Sequence, residues 1–265
     1  MTLPRKFYVH QRKGWEVGNF INCTPTIQTL SSVTKEPVPV LFDTEHVAEM
    51  YERCPFIRRV DEPEGGCLFT SAMTNMGMPD WEYIHRTVLS LCGLSASMND
   101  NMPHTYVDEC PRWGYLPDRY IAICRGMIDG SSWAEHKQVG DEIYDYVFDR
   151  TGLPLVFLGN TADWQRDLRR MRENHVDVNR VWCIVNSMRR VLGALRGADA
   201  VISNDTGLYH AAGALRRPGF IIWKTTPWEK NETPCRDLFR SRQGHWYTDF
   251  DRWLESYEAA SGRKL

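Results

Sequence analysis

A two-domain α/β fold with parallel sheets follows from three features of the sequence. Short apolar runs alternate with longer amphipathic ones, the alternation stops over residues 95–118, and it then restarts. Only a crossover helix returns the chain to begin a neighbouring strand in the same direction, so this alternation implies parallel sheets. The 265 residues also leave room for two domains, each of about 100 to 200 residues as is usual.

The first block reads FYVH as strand, FINCTPTIQTLSS as helix, VPVLFD as strand, EHVAEMYERC as helix and IRRVDE as strand. GCLFTSA then reads as strand, and DWEYIHRTVLSLCGL as a helix ending near Gly93. Residues 95–118 hold three prolines and little periodicity, which suits a connection between domains. Beyond it, YIAICRG reads as strand, KQVGDEIYDYVFDRT as helix, LPLVFLG as strand and TADWQRDLRRMREN as helix. The alternation continues through SMRRVLGALRGA, DAVIS, GLYHAAGAL and GFIIWK. The expected division is therefore a Rossmann-like domain over 1–112, a second over 113–245, and a C-terminal helix over 246–265 packing back toward the first. The two parallel sheets are expected to face a central cleft.

Composition narrows the function classes. A 42% hydrophobic, 25% charged chain of formal net charge −2 has no general attraction to nucleic acid or an anionic membrane. Its 25 arginines against 7 lysines crowd RDLRRMRE and SMRRVLGALRG, read as solvated helix faces with a secondary suitability for phosphate. Eight cysteines show no C-x-x-C pair and no metal-like spacing, so reduced thiols are expected and zinc is not. No signal-peptide stretch opens the chain and no window approaches 18 uninterrupted apolar residues, so a soluble, cytoplasmic protein is expected. Trp15, Trp113, Trp133, Trp223 and Trp228 read as packing residues, with stacking on a sugar or base as the alternative.

Three strand-to-helix junctions carry chemistry. In an open parallel sheet, ligands bind beyond the carboxyl ends of the strands. The run AVISNDTGLYHAAGAL passes from strand to helix through Asn204, Asp205, Thr206 and Gly207. Asp205 or Thr206 suits the cap, Gly207 admits close approach, and the free first-turn amides favour an anion, phosphate above all. His210 follows one turn later. YIAICRG leads into MIDGSSWAEHKQVGDEI, whose Arg125, Ser131, Ser132 and Lys137 suit a nucleotide phosphate. The third junction, FYVHQRKGWEVGNFINCTPTIQTL, holds Gly14 and Gly18 in a loose glycine-bearing loop. Asp249 and Asp251 form a D-x-D, but they open the final helix, where Asp is favoured by the helix dipole.

Together these junctions resemble glycosyltransferase family 9, the heptosyltransferase-like enzymes of the GT-B fold. SNDTGLYHAAGAL is similar to the family's D-[ST]-G-x-x-H signature, and GNFINCTPTIQTL to its opening G-D-x-x-x-x-T-P motif. The resemblance covers most of the chain. It implies an acceptor-binding first domain, shortened here, and a nucleotide-sugar-binding second domain. It further implies inverting, metal-independent transfer of a sugar from a nucleotide diphosphate sugar to an acceptor hydroxyl, with no cofactor. By that resemblance Lys137 and the amides around Thr206 and Gly207 hold the diphosphate, Asp205 touches the donor sugar or orients the loop, and His210 supports the phosphates. Gly18, Arg125 and Ser131 complete the donor set.

One position departs from the family. Its opening motif has an aspartate general base after the glycine, whereas here the residue is Asn19, an amide that takes no proton at neutral pH. Three readings follow: Glu16 is the base, Asn19 only orients the acceptor, or the chain is weak or inactive in transfer. The competing functions are a nucleotide-sugar epimerase or hydrolase on the same architecture and a non-catalytic nucleotide-sugar-binding module. The acceptor is a glycan or another hydroxyl-bearing molecule. Nucleic acid is not indicated, though a nucleobase acceptor stays open.

Overall fold

The computed structural model describes residues 6–14, 17–74, 78–95, 104–125, 139–140, 142–173, 177–224 and 238–265. They fall into two compact units that divide between Asp108 and Glu109, four residues ahead of the expected boundary. The packing of the connection explains the difference. Asp108 Oδ2 accepts the Arg53 amide at 2.7 Å within the first unit. Pro111 lies instead against Gly193 of the second, where an added Cβ would come within 2.4 Å of the Pro111 carbonyl oxygen.

The first unit runs β1 (Phe7–Gln11), α1 (Val17–Thr34), β2 (Val38–Phe42), α2 (Glu45–Ala48), β3 (Ile57–Val60), β4 (Gly66–Thr70) and α3 (Asp80–Leu91). Its sheet is wholly parallel in the order β3-β2-β1-β4. The EHVAEMYERC helix shrinks to α2 and a following 3-10 turn over Glu49–Tyr51. Helix α1 carries Pro25 in its interior, which leaves the Ile21 carbonyl without its amide donor. The Thr24 hydroxyl donates to that carbonyl at 2.7 Å, so the Thr-Pro pair keeps the helix hydrogen-bonded across the proline. Phe20, Ile21, Ile27 and Leu30 of α1 are fully buried, as are Val9 and Val40 on the strands.

The second unit runs β5 (Ile121–Cys124), α4 (Glu142–Thr151), β6 (Leu155–Gly159), α5 (Thr161–Glu173), β7 (Val181–Val185) and α6 (Met188–Gly197). It continues through β8 (Ala200–Asn204), α7 (Gly207–Ala214), β9 (Gly219–Trp223), β10 (Leu238–Arg242) and α8 (Trp246–Ser261). The sheet is parallel in the order β10-β9-β8-β5-β6-β7. Counted within the unit this is 3-2-1-4-5-6, the Rossmann order, and the first unit repeats its 3-2-1-4 portion. Every residue of β5, β8 and β9 is buried, as expected of interior parallel strands covered on both faces.

The final helix packs within the second unit. Trp246, Phe250, Trp253 and Leu254 of α8 are buried in the second unit's core. The Phe250 and Trp253 rings stand 5.3 and 5.6 Å from the Phe220 ring. Four apolar side chains on one helical face find their burial there. The seven described cysteines are all free thiols. Among the described residues no helix is long and apolar enough to cross a membrane.

Candidate functional site

In the second unit the chain builds β5, β6 and β7 outward in one direction, then crosses back to place β8 on the other side of β5. The strand order therefore reverses between β5 and β8, the position where open α/β sheets form a ligand crevice. The register pairs Cys124 with Ser203, so the β5 and β8 junctions named from the sequence emerge side by side.

At the β8 junction Asn204 is fully buried, Asp205 is 6% exposed and His210, one turn into α7, is 5% exposed. Thr206 is the extended residue before the helix, φ −132° and ψ 166°, and its side chain makes no cap. Its hydroxyl lies 3.3 Å from Ser203 Oγ, which donates to the Asn204 carbonyl at 2.9 Å. The Thr206 amide is itself committed, donating to the Asn204 carbonyl at 2.8 Å. Thr206 therefore does not offer the amide expected of it; the turn folds that donor inward. Among the described residues the donors left without an acceptor are the next two amides, Gly207 and Leu208. They point from a helix start whose partial positive charge favours an anion. The His210 ring packs on Tyr209 with centroids 3.9 Å apart, and Tyr209 meets Trp223 edge-on at 5.5 Å. Trp223 ends β9 beside this turn, and its buried Nε1 has no hydrogen-bond partner among the described residues.

Arg125, expected at the phosphates, has a different task. It is 1% exposed, and its Nη1 lies 3.0 Å from Asp167 Oδ1 on α5. Its Nε donates to the Val139 carbonyl at 2.9 Å, and the Val139 amide donates back to the Arg125 carbonyl at 3.3 Å. The Tyr144 hydroxyl and Arg166 Nε complete the Asp167 carboxylate at 2.7 and 3.0 Å. A buried carboxylate needs such compensation, so the guanidinium is directed into the core and ties residue 125 to residue 139. Ser131, Ser132 and Lys137 lie outside the described residues.

In the first unit the order reverses between β1 and β4. Gly18 and Asn19 form the first turn of α1, both half-buried, and the Asn19 carbonyl accepts the Cys23 thiol at 3.3 Å. Glu16 lies outside the described residues. At the same carboxyl edge the structure holds a pair that the sequence reading passed over. His10 Nε2 lies 2.7 Å from Asp43 Oδ1, and Asp43 Oδ2 accepts the Lys13 amide at 3.1 Å. The His10 bond, with help from the Lys13 amide, holds the Asp43 carboxyl below its usual range. The two side chains stand 33 residues apart, and the only sequence signal was their common place at the ends of the FYVH and LFD runs.

The D-x-D carboxylates are otherwise engaged. Asp249 accepts Ser241 Oγ at 2.7 Å, and Asp251 accepts Tyr146 Oη at 2.9 Å and Arg150 Nη2 at 3.0 Å. Among the described residues no three His, Cys, Asp or Glu side chains form a metal-ligand set. Trp113 packs beneath the Arg190 guanidinium, 4.3 Å from its ring centre, while Trp15, Trp133 and Trp228 lie outside the described residues.

No protein-family model and no curated protein matches the chain. Solved structures do. The family 9 glycosyl transferase of Veillonella parvula DSM 2008 superposes with a TM-score of 0.70 at 12% identity, over 100% of this chain and 91% of that one. The Escherichia coli ADP-heptose LPS heptosyltransferase II gives 0.66 at 11% identity, over 97% and 100%. The E. coli heptosyltransferase WaaC with ADP gives 0.69 at 11%, over 94% and 99%. The chain thus has the fold of these two-domain glycosyltransferases.

Proposed function

We propose that the chain is a heptosyltransferase-like glycosyltransferase. It moves a sugar from a nucleotide diphosphate sugar to an acceptor hydroxyl, with inversion and without a metal. The observation that carries the reading is the β8–α7 turn at the reversal of strand order, where the Gly207 and Leu208 amides lack acceptors beside buried Asp205 and His210. Breaking the bond between sugar and diphosphate builds negative charge on the leaving oxygen, and donors fixed beforehand stabilise it with no reorganisation. In this proposal the two amides, His210, Ser131 and Lys137 meet the diphosphate. Asp205 orients the turn or the donor sugar, and Gly18 admits the substrate close to the backbone. Asn19 orients the acceptor and does not deprotonate it.

A thermal-shift screen against ADP, UDP, GDP and their sugars tests the donor class, because a ligand bound only by the folded state raises its stability. ADP is the first choice, since WaaC of the same fold is held with ADP. Nucleoside diphosphate released only when a saccharide acceptor is present supports transfer, with the product anomer read by NMR and EDTA leaving the rate unchanged. Release without acceptor, or a donor isomer, would assign a hydrolase or an epimerase. Tight binding with no turnover would assign a binding module.

A further inference from the structure

We propose that His10, oriented by Asp43, is the general base that takes the proton from the acceptor hydroxyl; this rests on the transfer reading above. An ionised carboxylate only accepts hydrogen bonds, so the 2.7 Å bond places the ring proton on Nε2. The lone pair of the neutral imidazole is then on Nδ1, which makes no hydrogen bond among the described residues. The carboxylate is itself fixed: its second oxygen holds the Lys13 amide, and the Asp43 amide donates to the Gln11 carbonyl at 3.0 Å. An imidazole with one nitrogen anchored to a carboxylate and the other open is the arrangement a base needs.

The surroundings fit a hydroxyl-bearing guest. The His10 side chain is 23% exposed, so it is reachable from solvent. Thr44, just past β2, and Thr74, just past β4, each have a buried hydroxyl without a hydrogen-bond partner among the described residues, on the same carboxyl edge. Among the described residues the charged and titratable groups around His10 are Asp43, Arg12 through its field on Asp43, and Tyr8, whose ring centre is 6.3 Å away and which bonds Cys67 of β4. Its direct partners across the sheet, Leu41 and Thr70, do not titrate.

In the step, the acceptor O–H bond breaks and its proton moves to Nδ1. The oxygen lone pair forms the new bond to the anomeric carbon, the bond to the diphosphate breaks, and that electron pair leaves on the diphosphate oxygen. Asp43 stabilises the imidazolium until it returns its proton to water.

The test follows ADP release from ADP-heptose with a panel of mono- and disaccharide acceptors, for wild type, H10Q, D43N and E16Q. H10Q should lower kcat by about 100-fold or more, keep ADP affinity and melting temperature, and flatten the acid side of the kcat–pH profile relative to wild type. D43N should lower kcat about tenfold, because an amide both donates and accepts and so frees the ring to hold its proton on Nδ1. Imidazole added to H10A should restore turnover. H10Q within twofold of wild type, or E16Q losing turnover while H10Q keeps it, overturns the base alone. Wild type releasing no nucleoside diphosphate, with any acceptor, from the donor that the thermal-shift screen selects overturns the transfer reading and the base with it. Should H10Q melt early, D43N decides: lost kcat with ADP affinity kept supports His10, and wild-type kcat overturns it.

Discussion

At Gly207 a proline would remove the amide hydrogen offered to the phosphates, replacing it with a ring. Proline is tolerated at the first position of a helix, where its missing N–H has no intrahelical partner. The residue ahead of a proline must be extended, and Thr206 already is, at φ −132° and ψ 166°. Gly207→Pro should therefore keep the melting temperature and weaken ADP binding by about tenfold to a hundredfold, the worth of one hydrogen bond to a charged group at about 1.5–3 kcal/mol. Calorimetric titration checks it, and unchanged affinity would separate that amide from the phosphates. Arg125 gives the converse case. Arg125→Ala leaves the buried Asp167 carboxylate with Arg166 Nε and the Tyr144 hydroxyl but without its more deeply buried cation, and should cost about 1–3 kcal/mol in urea unfolding. Asp43 adds a pH dependence with a defined sign. Its carboxyl is held below its ordinary value, so the unfolded chain protonates first, and the stability it contributes is present above that ordinary value and lost as pH falls through the depressed one. The melting temperatures of wild type and D43N should begin to converge as pH falls below about 4, the ordinary carboxylate value, and meet only below the depressed one.

At the scale of elements, Gly193 shows packing outweighing propensity. Alanine is the better helix former by about 1 kcal/mol, yet a Cβ there would meet the Pro111 carbonyl at 2.4 Å. Gly193→Ala should lower stability by about 1–3 kcal/mol through the displaced connection, measured by urea unfolding; a gain would mean that Pro111 yields freely. Strand burial also explains what the sequence disclosed. The interior strands β5, β8 and β9 are uniformly apolar because both faces are covered, so YIAICRG, DAVIS and GFIIWK stood out. The two strands that the alternation did not pick out, β7 and β10, are the two edges of that sheet. β10 reads LFRSR with two of its five residues exposed, and charged side chains are a common protection for an edge. The β8 turn was legible because its Asn-Asp-Thr-Gly run changes character within four residues. Arg125's inward direction was not, because Asp167 lies on a helix after the next strand. The amide lost at Thr206 depended on a backbone turn that residue types alone do not specify.

At the scale of the whole molecule, the same strand logic occurs twice. Each unit lays down three parallel strands in one direction and then crosses back to place its fourth beside the first. Each unit also carries polar side chains at its carboxyl edge: His10 on β1 with Asp43 just past the neighbouring β2 in the first, Asp205 and His210 past β8 in the second. The proposed division of labour assigns the acceptor proton to the first edge and the leaving diphosphate to the second. That division predicts where a nucleotide acts. ADP at about 100 times its Kd should stabilise the protein by about 2.7 kcal/mol. Hydrogen exchange should then slow most at the Gly207 and Leu208 amides and through β5, β8 and α7. Protection that rose chiefly over β1 to β4 would place the nucleotide on the wrong sheet and reverse the roles of the two units.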